Sequence, residues 1–283
     1  MRFGKKTVSL ISSRGCPWSC TYCSSHVTMG REYRYRSPKK VVDEMEELYL
    51  TRGVDNFIFW DDIFTFRSDR VFEFCSELKS RQMNVTWWCM SRTDRMTQEL
   101  ANAMADAGCV MVSFGIESGS EKTLNQIKKR VNLDVAKEAI QYCNKAGIRT
   151  QGTFILGLPF ETREDIDCTI NFAKTSGLDM ALFFSFTPFP GTEEWKNVPE
   201  NIKPKSIEEW HSFVCNTQIS KSWNSRFTDK EIGKIVLKAH RTFYYRPIQI
   251  WKILISLRSM REFRSYLIGT FSLTSSIVKK FFS

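Results

Sequence analysis

No stretch of the sequence is apolar for long enough to cross a bilayer, which takes about 20 consecutive residues in a helix, so a membrane-spanning bundle is excluded. No secretory leader is expected either. Met1 to Lys6 carries two lysines and an arginine, but the apolar stretch behind it, Val8 to Ile11, is far shorter than a signal core of about 7 to 15 residues. Low-complexity sequence is almost absent, and 42% hydrophobic with 25% charged residues excludes a disordered chain. Of nine cysteines, an odd number, six (Cys75, Cys89, Cys109, Cys143, Cys168 and Cys215) stand singly in apolar or helical-looking segments. That does not resemble a secreted disulfide framework. These absences leave a globular protein of a reducing cytosol.

What is present is enough chain, 283 residues, for one domain of about 200 to 250 residues plus an appendage. The net charge of +10 is uneven. From Arg241 to Ser283 eight basic residues face one acid, Glu262, a balance of +7, whereas the preceding 240 residues hold +3. The basic excess belongs to the tail and suits an anionic surface met by that tail.

The most informative stretch is Arg14-Gly15-Cys16-Pro17-Trp18-Ser19-Cys20-Thr21-Tyr22-Cys23, which sets Cys-x3-Cys-x2-Cys within eight residues. Three thiolates this close can converge on one metal centre. A closed zinc site needs four ligands, for which His26 would be the fourth, and ordinary cubane clusters also use four cysteines. An accidental group of core cysteines is a further alternative. The remaining reading is a 4Fe-4S cluster with one iron left open for a substrate or cofactor. The spacing, with an aromatic residue directly before the third cysteine, resembles the radical S-adenosylmethionine (radical SAM) superfamily. The resemblance implies Cys16, Cys20 and Cys23 as cluster ligands and Tyr22 as the aromatic beside the adenine of SAM. It also implies a reductant such as flavodoxin or ferredoxin, whose electron cleaves SAM to a 5′-deoxyadenosyl radical that abstracts hydrogen from a substrate.

Behind this loop, helix and strand signals alternate. Ser37-Pro38 opens a helix with proline at its first position, Val41, Val42, Met45, Leu48 and Tyr49 form its apolar stripe, and Gly53 ends it. Strands are predicted at Thr7 to Ser13, Asn56 to Trp60, Val85 to Met90, Val110 to Ile116, Arg149 to Leu156 and Met180 to Phe186. Helices are predicted between them, including Glu121 to Lys129, Leu133 to Ala146 and Arg163 to Ser176. Six strands interleaved with helices indicate an α/β fold, a partial (β/α)6 TIM-like barrel over residues 1–195, with a C-terminal basic, aromatic helical extension over 196–283.

In such barrels chemistry sits where strands run out into loops. The second strand ends in Asp61-Asp62, which either cap the next element or, as the resemblance implies, help hold the SAM amino group. The third ends in Ser91-Arg92-Thr93-Asp94, where Arg92 either anchors a carboxylate or pairs with Asp94. The fourth ends at Glu117, which by resemblance bonds the SAM ribose or amino group; Lys129, twelve residues on, matches the base that meets the SAM carboxylate, and Lys128 reads as its solvated neighbour. The fifth, Gly152 to Glu161, offers Ile155 as the adenine contact and glycine for close approach to a flat ring, against the plainer reading of a buried strand ending in a turn. The sixth, Phe186 to Thr192, and the Asp-Asp form of the second are similar to the branch that commonly carries a cobalamin-binding domain.

Six residues precede the first strand, too few for that domain, so cobalamin is expected only through a separate chain, unless the sequence is a fragment or the chemistry needs no cobalamin. No cysteine cluster follows Cys23 that could hold an auxiliary centre. Phe243-Tyr244-Tyr245-Arg246-Pro247 resembles a segment that packs across the barrel end in the same branch. The apolar decapeptide Ile248 to Leu257 then suits either a packed helical cap or a helix on an anionic membrane or a partner, with nucleic acid as a further alternative. The expected function is a radical SAM enzyme acting on an unidentified small or lipid-like metabolite by methyl transfer or rearrangement. The alternatives are modification of RNA or peptide, and a non-catalytic metal-binding module for a partner.

Overall fold

The computed structural model describes residues 6–210 and 222–256. Strand β1 (Thr7–Leu10) leads to a two-stranded antiparallel ribbon, β2 (Ser13–Arg14) with β3 (Arg34–Tyr35), whose intervening loop carries α1 (Ser25–Thr28). Alternation follows: α2 (Pro38–Arg52), β4 (Asn56–Phe59), α3 (Ser68–Ser80), β5 (Thr86–Ser91), α4 (Gln98–Asp106), β6 (Cys109–Glu117), α5 (Glu121–Gln126), α6 (Leu133–Lys145), β7 (Arg149–Leu156), α7 (Arg163–Thr175) and β8 (Met180–Ser185). The chain continues through α8 (Glu193–Lys196), α9 (Ile207–Trp210), α10 (Asp229–Tyr244) and α11 (Pro247–Ser256). Among the described residues six strands form one parallel sheet in the order β1-β4-β5-β6-β7-β8, and β1 and β8 do not pair. The predicted partial barrel is therefore the observed one. Its parallel strands deliver all their C-terminal ends to one mouth.

Local sequence explains the punctuation. Ser37 accepts the Lys40 N–H ahead of Pro38, and Gly53 closes α2 in the left-handed conformation with φ 64°. Thr162 with Asp165, and Thr228 with Glu231, form reciprocal capping boxes on α7 and α10. Under the helices lies one aromatic core, in which Phe59, Phe74 and Trp87 pack edge to face at 5.3–5.9 Å and Trp87 Nε1 donates to the Ala107 carbonyl at 2.8 Å. Each fully buried phenylalanine contributes about 1.5–3 kcal/mol over an exposed one. On β7 and β8 every second residue is buried in this core, while Gln151, Thr153, Ile155, Met180, Leu182 and Phe184 face the lumen and stay partly accessible.

Two predicted boundaries move for physical reasons. β1 stops at Leu10 because the backbone N–H of Ser12 is taken by Asp61, which turns the chain into the ribbon. α5 stops at Gln126 because Lys128 and Arg130 adopt left-handed backbones, with φ 54° and 51°. Helix α10, which lies beyond residue 195, is continuous with the barrel core: Ile232, Ile235, Val236, Ala239 and Phe243 are buried in it. On α11, Gln249 Nε2 and Lys252 Nζ reach the Asp179 carbonyl and carboxylate at 2.6 and 3.2 Å, leaving Ile248, Ile250 and Trp251 exposed. No helix among the described residues is long and apolar enough to cross a membrane. Arg258, Arg261, Arg264, Lys279 and Lys280, the bulk of the basic tail, and Cys215 lie outside the described residues.

Candidate functional site

The three clustered cysteines sit on the loop between β2 and α1, at the barrel mouth. Gly15, with φ 94°, is obligatory there, since a Cβ would lie 2.0 Å from the Glu32 carbonyl oxygen. The loop is zipped by Cys16 N–H donating to Gly30 O at 3.1 Å and Thr21 N–H donating to Ile127 O at 3.1 Å. Burial raises the thiol pKa of Cys16, and pushes that of Cys23 up to about 11 against the Ser25 N–H that reaches its sulfur at 3.5 Å. Cys20 adds to the rise of Cys16, and Cys20 and Cys16 to that of Cys23, so thiolates gathered here would need a compensating positive charge such as iron. Among the described residues no three His, Cys, Asp or Glu groups are gathered tightly enough for a single ion. A three-thiol loop fits a 4Fe-4S cluster.

Asp61 is not brought to this site. Fully buried, it accepts the Ser12 N–H at 2.7 Å and the Ser12 and Ser13 hydroxyls at 2.6 Å each, while Arg70 donates to Ser12 Oγ at 2.5 Å. The carboxylate is spent on the turn from β1 to the ribbon, and so on the root of the cysteine loop. Asp61→Ala should cost about 3 kcal/mol by orphaning these donors, seen as a lower melting temperature together with lower iron content. An unchanged melt with lost SAM binding would return Asp61 to the SAM site. Its neighbour Asp62 is half-buried and close enough to Cys16 for its charge to raise that thiol.

Glu117, Lys129 and Tyr22 do meet. Lys129 Nζ donates to Glu117 Oε1 at 2.9 Å and lies 3.4 Å from the Tyr22 hydroxyl, and the ion pair is 7% and 10% exposed. Glu117 sits at a register shift in β6 with φ 72°, a strained conformation for a non-glycine residue. The turn after α5 swings Lys129 back to face it. Burial, then the Glu117 charge, holds the Tyr22 phenol well above its usual pKa. Tyr22 and Ile155 pack against one small apolar cluster, Leu124, Ile127, Leu158 and Phe186. Tyr22 thus links the Glu117–Lys129 pair to the apolar cluster that Ile155 shares, near Cys20, whose sulfur lies 3.9 Å from the Lys128 carbonyl. Lys128 itself pairs with Glu193 on the surface.

Arg92 takes the Asp94 alternative, at 2.9 Å, but as a buried brace. It also donates to the Lys129 carbonyl at 3.1 Å and stacks over Trp18 of the cysteine loop at 4.4 Å. The glycines of the fifth strand serve packing. A Cβ at Gly152 would meet Leu178 and Phe154, and one at Gly157 would meet Ile232 of α10, so neither clears space for a flat ligand ring. Sequence reasoning missed Gly115, where a Cβ would come within 2.7 Å of Glu117 Oε1 and 3.1 Å of Lys129 Nζ. Its signal was a glycine two residues before the strand-end acid.

An uncharacterized methyltransferase of Pyrococcus horikoshii is 34% identical over 238 residues, covering 84% of this chain and 51% of that protein. An anaerobic magnesium-protoporphyrin IX monomethyl ester cyclase of Rubrivivax gelatinosus is 34% identical over 201 residues, 70% of this chain and 36% of that protein. A solved radical SAM methyltransferase of Kitasatospora setae, with tryptophan substrate and a SAM analogue bound, shares the fold with a TM-score of 0.61 at 21% identity, over 66% of this chain and 37% of its own. The chain thus spans about half or less of the length of these relatives. The model of the radical SAM superfamily matches residues 10–173, from β1 through most of α7 and including the cysteine loop, the Glu117–Lys129 pair and Ile155; the chain belongs to that superfamily of enzymes.

Proposed function

We propose that this chain is the SAM-handling barrel of an enzyme that cleaves SAM reductively and acts on a small or lipid-like metabolite by methyl transfer or rearrangement. The observation that carries the reading is the buried Lys129–Glu117 pair standing beside the cysteine loop. SAM bears an ammonium and a carboxylate on one carbon. A buried cation and anion can exchange partners with such a zwitterion, Lys129 taking the carboxylate and Glu117 the ammonium or a ribose hydroxyl, without stranding a charge away from water. Tyr22 and Ile155 supply the apolar flank for the adenine. Cys16, Cys20 and Cys23 would hold a 4Fe-4S cluster, which when bound would pass on the electron for breaking the sulfonium bond, drawn from a reductant such as flavodoxin or ferredoxin. The names of the methyltransferase relatives support methyl transfer. Any cobalamin the reaction uses is bound by a part of the protein beyond these residues or by a separate chain.

Anaerobic reconstitution tests this. The reduced protein should give a paramagnetic resonance signal that shifts on adding SAM, and form 5′-deoxyadenosine under dithionite; stoichiometric zinc without iron would sink the reading. Lys129→Ala should weaken SAM about 10- to 100-fold, the worth of one charge-assisted bond, while the cluster signal persists. Unchanged SAM affinity would remove Lys129 from the site.

A further inference from the structure

We infer that the lumen below the SAM site binds an uncharged, largely apolar molecule with a hydrogen-bond acceptor, and that the indole N–H of Trp88 receives that acceptor. This rests on the proposed function and deepens it by naming the class of substrate. Trp88 lies on the inner face of β5, and the strand register sets it beside Ile58 and Met111. One pleat nearer the mouth the same register aligns Met90, Ser113, Gln151 and Met180 in a row. Trp88 is 6% exposed, and its Nε1 has no acceptor.

A buried donor without a partner is costly, and the thioethers, aliphatic carbons and edge-packed Trp60 ring around it accept hydrogen bonds weakly or not at all. Arg149 ends the Trp88 row beyond Met111 and is already engaged in an interaction of its own. Between it and the Glu117–Lys129 pair at the mouth the polar groups of the wall include Ser9, which accepts the Trp60 indole N–H at 3.1 Å, and Ser113, Gln151 and Thr153, of which Ser113 and Gln151 are bonded to each other at 2.9 Å. Met180, Leu182 and Phe184 complete the accessible side. An anionic or cationic ligand placed there would find no unengaged counter-charge, a large desolvation cost. A neutral body with one acceptor would satisfy this buried donor.

Nile red, an uncharged apolar dye with a ring carbonyl, is a suitable probe, measured by equilibrium dialysis on the cluster-loaded full chain without oxygen. One site is expected. Trp88→Phe, which keeps a ring and removes the donor, should weaken it about 5- to 10-fold, and Leu182→Asp should abolish it. Trp251→Ser, on the exposed face of α11, should leave it unchanged, and 8-anilinonaphthalene-1-sulfonate, of similar size but anionic, should not compete. Equal affinity in Trp88→Phe, loss in Trp251→Ser, or competition by the sulfonate overturns the inference. SAM cleavage by the same wild-type preparation reports separately: cleavage without dye binding defeats this inference alone, and dye binding without cleavage defeats the earlier reading alone.

Discussion

Cys20→Ala should remove bound iron, the signal of the reduced cluster and 5′-deoxyadenosine formation together, each to background, and Cys16→Ala and Cys23→Ala should do the same. The loop offers three thiols within eight residues and nothing in reserve. Cys20, the most buried of the three, is also pinned by its surroundings: the next residue donates its N–H to Ile127, and its own sulfur faces the Lys128 carbonyl. Losing one ligand leaves two thiols, which cannot hold a cubane. Iron analysis, paramagnetic resonance and product chromatography on one anaerobic preparation check all three losses. Cys168→Ser is the control. Cys168 is exposed on α7, away from the loop, and should retain full iron and full cleavage. Iron retained in Cys20→Ala would mean that another group ligates.

Gly115→Ala should cost SAM affinity about 10- to 100-fold, as much as Lys129→Ala, while changing stability little. The backbone at Gly115 is not left-handed, so alanine is conformationally acceptable there. What alanine meets is the ion pair itself, at 2.7 Å from Glu117 Oε1 and 3.1 Å from Lys129 Nζ. Both are the ends of flexible side chains, so the chain folds and the pair moves instead. A displaced pair no longer presents its two charges where the amino acid part of SAM arrives. Since both variants act on one interaction, Gly115→Ala with Lys129→Ala should be strongly non-additive, the double variant binding SAM no worse than either single one. Full additivity would separate the glycine from the pair. Calorimetric titration of SAM into the cluster-loaded chain, with a melting curve for each variant, decides between these outcomes.

Legibility followed locality. The strands and their order of appearance were readable because runs such as Asn56–Phe59 and Met180–Ser185 repeat between helices with clear caps. The cysteine loop was readable because its three ligands are neighbours in sequence. The Glu117 and Lys129 assignments came from resemblance, and the left-handed turns that make the pair meet have no obvious residue signature, since Lys128 and Arg130 are not turn formers. Asp61 and Asp62 look equivalent in sequence. They diverge because Ser12 and Ser13, nearly 50 residues earlier, claim the first of them. The same distance hides Gly157, whose missing side chain is filled by Ile232 from α10. Contacts of that range are set by the closed fold and not by pattern.

A sheet that stops short of closing has a bare margin at β8. In this protein two side chains of α10 stand in for the missing strand: the Tyr244 hydroxyl accepts the Ala181 N–H at 3.2 Å and donates to its carbonyl at 3.0 Å, and His240 Nε2 bonds the Phe183 carbonyl at 3.1 Å. Burial lowers the His240 pKa, which keeps the ring neutral while it does so. An unpaired parallel strand is a template for self-association. Here the Ala181 N–H and carbonyl and the Phe183 carbonyl are occupied by side chains of α10, so the open margin does not also invite a second sheet at those groups. The helix guards solubility, and its worth would show in the concentration dependence of the protein's behaviour.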